Sequence, residues 1–335
     1  MAQKDFLFIG GTGKISSACV ERALRLGHRV TVLNRGESAL RPLSGEVEQL
    51  RADIRRPETV RAVLGGRTFD AVADFIAYVP EHVENDIELF TGRTGQYVFI
   101  SSASAYQTPP QHLPVTESTP LRNPFWEYSR AKIGCEDRLW RAYREDGFPM
   151  TIVRPSHTYD RTSMVTTGRW NDIARMRAGR PVVVHGDGTS LWTITHHADF
   201  AVAFVGLLGR QEAVGDHFHI TGDHAPTWNQ IYEWLGRAAG AETHLVHVPS
   251  EVIAAVRPDL GPGLLGDKAH SMVFDNSKVK ALVPEFKTTI TFDDGAREIL
   301  AWHDAHPQAQ RIDPEIEVTW DRLVSMMSVT TGAAT

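Results

Sequence analysis

The run Phe6-Leu7-Phe8-Ile9-Gly10-Gly11-Thr12-Gly13-Lys14-Ile15-Ser16 decides the fold. Its four leading apolar residues read as a buried strand, and from Ser16 to Leu26 apolar residues recur at helical spacing until Gly27 stops them. Between strand and helix lies a glycine turn. Gly10 permits the sharp reversal, and Gly13 lets the backbone approach a pyrophosphate seated on the helix N-terminus. Ser16 stands where the third glycine of such fingerprints falls, and is small enough to let helix and strand pack closely. A glycine pattern alone is weak; its place between strand and helix makes it informative. Gly10, Gly11, Thr12, Gly13, Lys14 and Ile15 are the expected cradle of a dinucleotide.

Working outward, Arg29–Leu33, Ala71–Ala77, Tyr97–Ser101 and Met150–Val153 read as further strands, and Trp126–Tyr143 as a long helix with Ala131, Cys135 and Leu139 on one stripe. Strands alternating with helices give right-handed βαβ units. The expected fold is therefore α/β, a Rossmann-type doubly wound parallel sheet. Beyond Pro155 the rhythm breaks into loops rich in Gly, Pro and His, with helices near Gly168–Met176, His197–Leu208, Trp228–Ala239 and Asp293–His303. A smaller, mixed C-terminal lobe for substrate is expected there. The expected division gives residues 1–155 to the dinucleotide domain, with 190–225 returning to it, and 156–189 and 226–335 to the substrate lobe.

The composition suits an ordinary globular chain. Of 335 residues 42% are hydrophobic, and 35 Lys+Arg against 41 Asp+Glu leave a formal charge of −6. That balance gives no global pull toward nucleic acid or an anionic membrane, so a small-molecule partner is expected. Cys19 and Cys135 are too few for a disulfide framework and point to a reducing, cytoplasmic setting. No apolar run approaches the 18 residues or so of a membrane span, and the N-terminus lacks a signal-peptide core.

The second strand ends Val32-Leu33-Asn34-Arg35-Gly36, with no carboxylate to hold an adenosine ribose 2′-hydroxyl. Asn34 offers a hydrogen bond and Arg35 a charged fork for a 2′-phosphate, which favours NADP over NAD. Asp53, followed by Ile54, is placed to meet the adenine amino group. Farther on, Tyr128-Ser129-Arg130-Ala131-Lys132 sets a phenol and an ammonium one helical turn apart on one face. A neighbouring cation favours phenolate and brings a tyrosine within reach of acid/base work. Ser102, at the end of Phe99-Ile100-Ser101-Ser102, is placed to bond a substrate oxygen beside Tyr128.

In these motifs the chain resembles the extended short-chain dehydrogenase/reductase superfamily, the NAD-dependent epimerases and dehydratases. The resemblance runs through Gly10–Ser16, Asp53, Asp74–Ala77, Ser101–Tyr106, Tyr128/Lys132, Arg154-Pro155, Gly186-Asp187-Gly188 and His196–Ala201. It implies that Ser102, Tyr128 and Lys132 form a catalytic triad, with Lys132 also gripping the nicotinamide ribose. It places Phe75, Ile76 and Ala77 along the cofactor, Ser101 at its side, and Pro155 and His157 beside the nicotinamide. It puts Ser104, Tyr106, His157 and Trp192 at the substrate, and implies a homodimer built on the helix of Tyr128. Leu33–Gly36 and Asp275–Lys278 look most like a branch that includes chloroplast RNA-associated members.

Trp192 stands where many sugar-nucleotide enzymes of the superfamily carry a diphosphate-binding arginine, so a substrate with less phosphate charge is expected. The Asp-Glu pair common in family dehydratases is replaced after Ser102 by Ala103-Ser104, which ranks dehydration below epimerisation or simple redox. The leading function is NAD(P)-dependent redox or epimerisation at a hydroxyl-bearing carbon of a sugar, nucleoside or sugar nucleotide. The alternatives are an NADP-dependent carbonyl reductase of a small metabolite and a non-catalytic nucleotide-sensing or RNA-associated protein. The fifteen histidines form no metal-ligand spacing, His217 and His219 included, and no metal is expected.

Overall fold

The computed structural model describes residues 2–37 and 40–332. Seven parallel strands form the main sheet: β1 (Asp5–Ile9), β2 (Arg29–Asn34), β3 (Glu48–Arg51), β4 (Ala71–Asp74), β5 (Tyr97–Ile100), β6 (Met150–Pro155) and, from later in the chain, Asp216–Ile220. Their order is Asp216–Ile220, β6, β5, β4, β1, β2, β3. The chain therefore runs one way from β1 to β3 and the other from β4, so the reversal falls between β1 and β4. A crevice at the carboxyl ends of these two strands is where such sheets bind ligands.

Strand periodicity divides the core into two layers. Phe6 and Phe8 pack against α1 (Lys14–Arg25) and the helix His197–Leu207, while Leu7 and Ile9 face α2 (Pro57–Leu64), α3 (Pro80–Phe90) and α4 (Glu127–Asp146). All four are essentially without solvent exposure, as strands covered on both faces require. The β4 strand stops at Asp74, three residues earlier than its apolar run predicts. The Asp74 carboxylate accepts the amide protons of Ile76 (2.5 Å) and Ala77 (3.0 Å), folding the chain out of the sheet.

Over the carboxyl edge sits a second core built on Trp170, Ile173, Trp228, Ile231, Tyr232 and Ile299. It contains two short parallel pairs, His157–Tyr159 with Ile194–His196 and Val182–His185 with Leu245–Val248. The last helix, Pro314–Gly332, closes it: Ile316, Trp320 and Leu323 pack inward, and the Trp320 indole donates to Asp172 at 2.7 Å. No helix among the described residues is long and apolar enough to cross a membrane.

Candidate active site

The glycine turn lies at the reversal of strand order. Gly10 has φ +81°, and a Cβ there would come within 2.7 Å of Ile76 Cγ2. A Cβ on Gly11 would come equally close to Val32 Cγ2. Glycine is therefore required at both positions by the side chains packed against the turn, and the N-terminus of α1, with Lys14 and Ile15, follows directly. Ser16 does more than stay small: its buried hydroxyl accepts from the Gly13 amide (2.8 Å) and donates to the Gly10 carbonyl (2.7 Å). This cradle fits a dinucleotide pyrophosphate.

At the tip of β2, Arg35 pairs with Glu37 at 3.1 Å, both largely exposed, so the guanidinium is not committed. Behind it, Arg51 Nε donates to the Arg35 carbonyl at 3.0 Å. Two guanidiniums thus stand at the tip of β2 and β3. Arg51 was not expected from the sequence; the parallel register of Asn34 against Arg51 is the signal that brings it there. Asp53 accepts the Arg55 amide at 3.0 Å, Ile54 is buried below, and Phe75 stacks on Phe8.

Lys132 is the most firmly held member of the candidate cluster. Its ammonium is 1% exposed and donates to the carbonyls of Ala77 (2.6 Å) and Ile100 (2.7 Å). Burial lowers its pKa to about 8. Tyr128 lies one turn earlier on α4, its ring centroid 5.8 Å from the ammonium. Burial pushes the phenol up to about 12; the Ser102 hydroxyl opposes this, while Tyr78 and Asp267 add to it. Ser102 is itself oriented by neighbours. Ser129 Oγ lies 2.8 Å from Ser104 Oγ, which lies 2.9 Å from Ser102 Oγ. Asn123 then ties the Ser104 carbonyl (2.9 Å) to that of Gly266 (2.7 Å). Nothing local in the sequence marks Asn123.

Ser102, Ser104 and Tyr128 open into a cavity of about 390 Å³. Lys14, Pro155, His157, Trp192, Asp267 and Lys268 are among the other residues lining it. His157 faces Trp192, with ring centroids 6.2 Å apart, and burial beside Lys268 and Lys14 keeps its imidazole neutral. Trp192 is 3% exposed, and its indole N–H has no partner among the described residues. Two expected residues lie elsewhere. Tyr106 is wholly buried, with its hydroxyl 3.1 Å from His219 and its ring under Arg154, so it lines no part of this cavity. Ser101 donates to Glu136 at 2.5 Å, inside the buried Glu136–Arg154 ion pair. Their positions follow from the end of β5 at Ile100. Beyond it the chain passes into a short 3-10 turn, Ala103–Ala105, so the period of two no longer says which side chains of Ser101–Tyr106 face inward and which reach the cavity. His217 and His219 hold the backbone carbonyls of Glu117 and Asp275.

Comparison with known proteins gives the class, that of the NAD-dependent epimerases and dehydratases. The chain belongs to the NAD dependent epimerase/dehydratase family, whose model matches residues 6–221. It is 28% identical over 259 residues to the chloroplast stem-loop binding protein of 41 kDa b of Arabidopsis thaliana, across 73% of this chain. That match spans 66% of the relative's length, just under two thirds. It is 27% identical over 287 residues to a 2′-dehydrokanamycin reductase of Streptomyces kanamyceticus, across 84% of this chain and 79% of the relative. An epimerase structure from Methanothermobacter thermautotrophicus shares the fold with TM-score 0.75 and 16% identity, over 92% of this chain and 94% of that one. A UDP-glucose 4-epimerase from Bifidobacterium longum, in complex with NAD+ and UDP, does so with TM-score 0.69 and 20% identity, over 91% and 99%.

Proposed function

We propose that this chain moves a hydride between NADP, in preference to NAD, and a hydroxyl-bearing carbon of a sugar, nucleoside or sugar nucleotide, as an epimerase or dehydrogenase. The observation that carries this is the pinned, buried Lys132 ammonium behind Tyr128, whose phenol lines the cavity. Residues 1–155 with 190–225 hold the cofactor in this reading, and 156–189 with 226–335 hold the substrate. Gly10 to Ile15 would bind the pyrophosphate, Asp53 and Ile54 the adenine, Phe75 to Ala77 the crevice wall, and Pro155 and His157 the nicotinamide side. Asn34 and Arg35, now with Arg51, would bind the adenosine ribose and its 2′-phosphate.

The bound dinucleotide supplies the hydride acceptor or donor. The protein handles the proton. Tyr128 Oη takes it from the substrate hydroxyl during oxidation and returns it during reduction. Ser102 Oγ donates to the same substrate oxygen and so opposes charge build-up there. Lys132 keeps one proton free of the two backbone carbonyls, available to a ribose hydroxyl. Contrary to the sequence expectation it does not offset the burial that raises Tyr128, so the lowering would have to come with the positive nicotinamide of the bound cofactor.

Tyr128→Phe keeps the ring and removes the acid/base group. It should bind NADP as the wild type does and lose about 10²–10⁴ in turnover across a panel of polyols, nucleosides and sugar nucleotides. Turnover within about tenfold of wild type would remove Tyr128 from this role. Similarity to a stem-loop binding protein favours a second reading, RNA association. The net charge of −6 supports the enzyme over it, and a gel shift at physiological salt separates the two: the enzyme reading expects no retained stem-loop RNA.

A further inference from the structure

We propose that Asp267 selects the substrate by binding a protonated amino group, so that the cavity takes an amino-bearing sugar or cyclitol in preference to a nucleoside-diphosphate sugar. This deepens the redox reading above and rests on it. Among the described residues, Asp267 is the sole carboxylate lining the cavity of Ser102 and Tyr128. No hydrogen bond or ion pair among the described residues engages its side chain, Lys268 included, although most of the described carboxylates have a partner.

Its position is imposed by the fold. Asp267 sits in a single π-helical turn, Leu264–Lys268, a feature that recurs at functional sites. The preceding Gly266 is pressed onto the start of α4: a Cβ there would lie 3.0 Å from Asn123 Oδ1 and 3.1 Å from Trp126 Cβ. Asn123 joins the Gly266 carbonyl to that of Ser104, so one amide sets the Asp267 turn and the serine loop relative to each other. The carboxylate is thereby registered against Ser102.

The remaining walls suit a ring that is apolar on its faces and polar at its edge. Trp126, Trp192, Met272 and Phe274 supply apolar surface. An ammonium offers three donors and a compensating charge to an unpaired carboxylate, which shares the cavity with the ammoniums of Lys14 and Lys268. Burial raises the Asp267 carboxyl to about 6, a penalty that a bound cation reverses. Lys14 does not compete for the carboxylate, since it turns to the Thr158 carbonyl at 3.3 Å. The similarity to a 2′-dehydrokanamycin reductase points the same way, because kanamycin is a polyamine.

The test is equilibrium binding to the NADP-loaded protein near neutral pH, with kanamycin, the neutral trisaccharide raffinose and UDP-glucose as probes. Wild type should bind kanamycin about tenfold or more tighter than either of the others, the scale of one charge-assisted contact. Asp267→Asn should abolish that margin and change raffinose and NADP affinity less than about twofold; Asp267→Glu should restore part of it. Lys268→Gln, which removes a nearby competing charge, should tighten kanamycin binding and serves if the Asp267 variants do not fold. Equal losses for kanamycin and raffinose, unchanged kanamycin binding in Asp267→Asn, or tighter UDP-glucose than kanamycin in wild type would each overturn the proposal. Because binding needs no turnover, these outcomes leave the role of Tyr128 standing, and failure at Tyr128 leaves them readable.

Discussion

Lys132 has three protons, and the fold commits two of them to the carbonyls of Ala77 and Ile100. A buried ammonium with its pKa lowered to about 8 sheds its proton earlier in the folded chain than in the unfolded one, where about 10.5 applies. Between those values the unfolded state holds more protons, so this group makes stability rise with pH. Lys132→Met removes that dependence. The stability of wild type relative to the variant should therefore grow, by up to about 3 kcal/mol between pH 8 and 10.5, in urea titrations of the cofactor-free protein. A difference that shrinks with pH would contradict the burial of a charged lysine. At the other end of the groove, Arg35→Ala should weaken NADP by about 1.5–3 kcal/mol and leave NAD nearly unchanged, by calorimetry. Equal effects on both cofactors would mean that Arg35 faces solvent or stacks, and would pass the phosphate to Arg51. Arg35 was legible as a residue at a strand tip. Arg51 was not, because its place depends on which strand pairs with β2.

At the scale of elements, the glycine turn shows how far a motif carries and where it stops. Its strand, its helix and the tight reversal at Gly10 follow from residue type alone. The hydroxyl of Ser16 does not, since a serine in place of glycine reads only as small. In the structure it joins Gly13 to Gly10, so restoring the fingerprint glycine should harm the turn. Ser16→Gly is expected to lower stability by about 1–3 kcal/mol, read from denaturant midpoints. No loss would mean that the turn holds itself without the bridge. The Glu136–Arg154 pair works between elements, joining α4 to β6 with both side chains nearly free of solvent. Glu136→Gln leaves a buried guanidinium without its counter-charge and should cost about 3–5 kcal/mol in the same measurement. A cost under about 1 kcal/mol would place water or another acid at Arg154. The α4 helix was legible from its apolar stripe. The inward turn of Ser101 and Tyr106 was not, because periodicity fails where a strand passes into a loop.

At the scale of the whole molecule, the parallel sheet was readable because buried strands and amphipathic helices alternate with short-range regularity. The lobe above it was not readable in the same way. His157–Tyr159 finds its partner at Ile194–His196, and Val182–His185 at Leu245–Val248, through contacts far apart in sequence. Asn123 and Asp267 reach the site by the same long-range route, with no motif around either. The union of sheet and lobe makes the central claim testable: a chain that carries a hydride acceptor in the sheet must present substrate to it beside Tyr128. The most direct measurement is transfer of deuterium from NADPH labelled at nicotinamide C4 into a panel of keto sugars, followed by mass spectrometry. Wild type should place one deuterium on the new carbinol carbon, with NADPH outpacing NADH, and Tyr128→Phe should slow the transfer by about 10²–10⁴. No deuterium in any product while NADPH is bound, or transfer at the wild-type rate in Tyr128→Phe, would contradict the account.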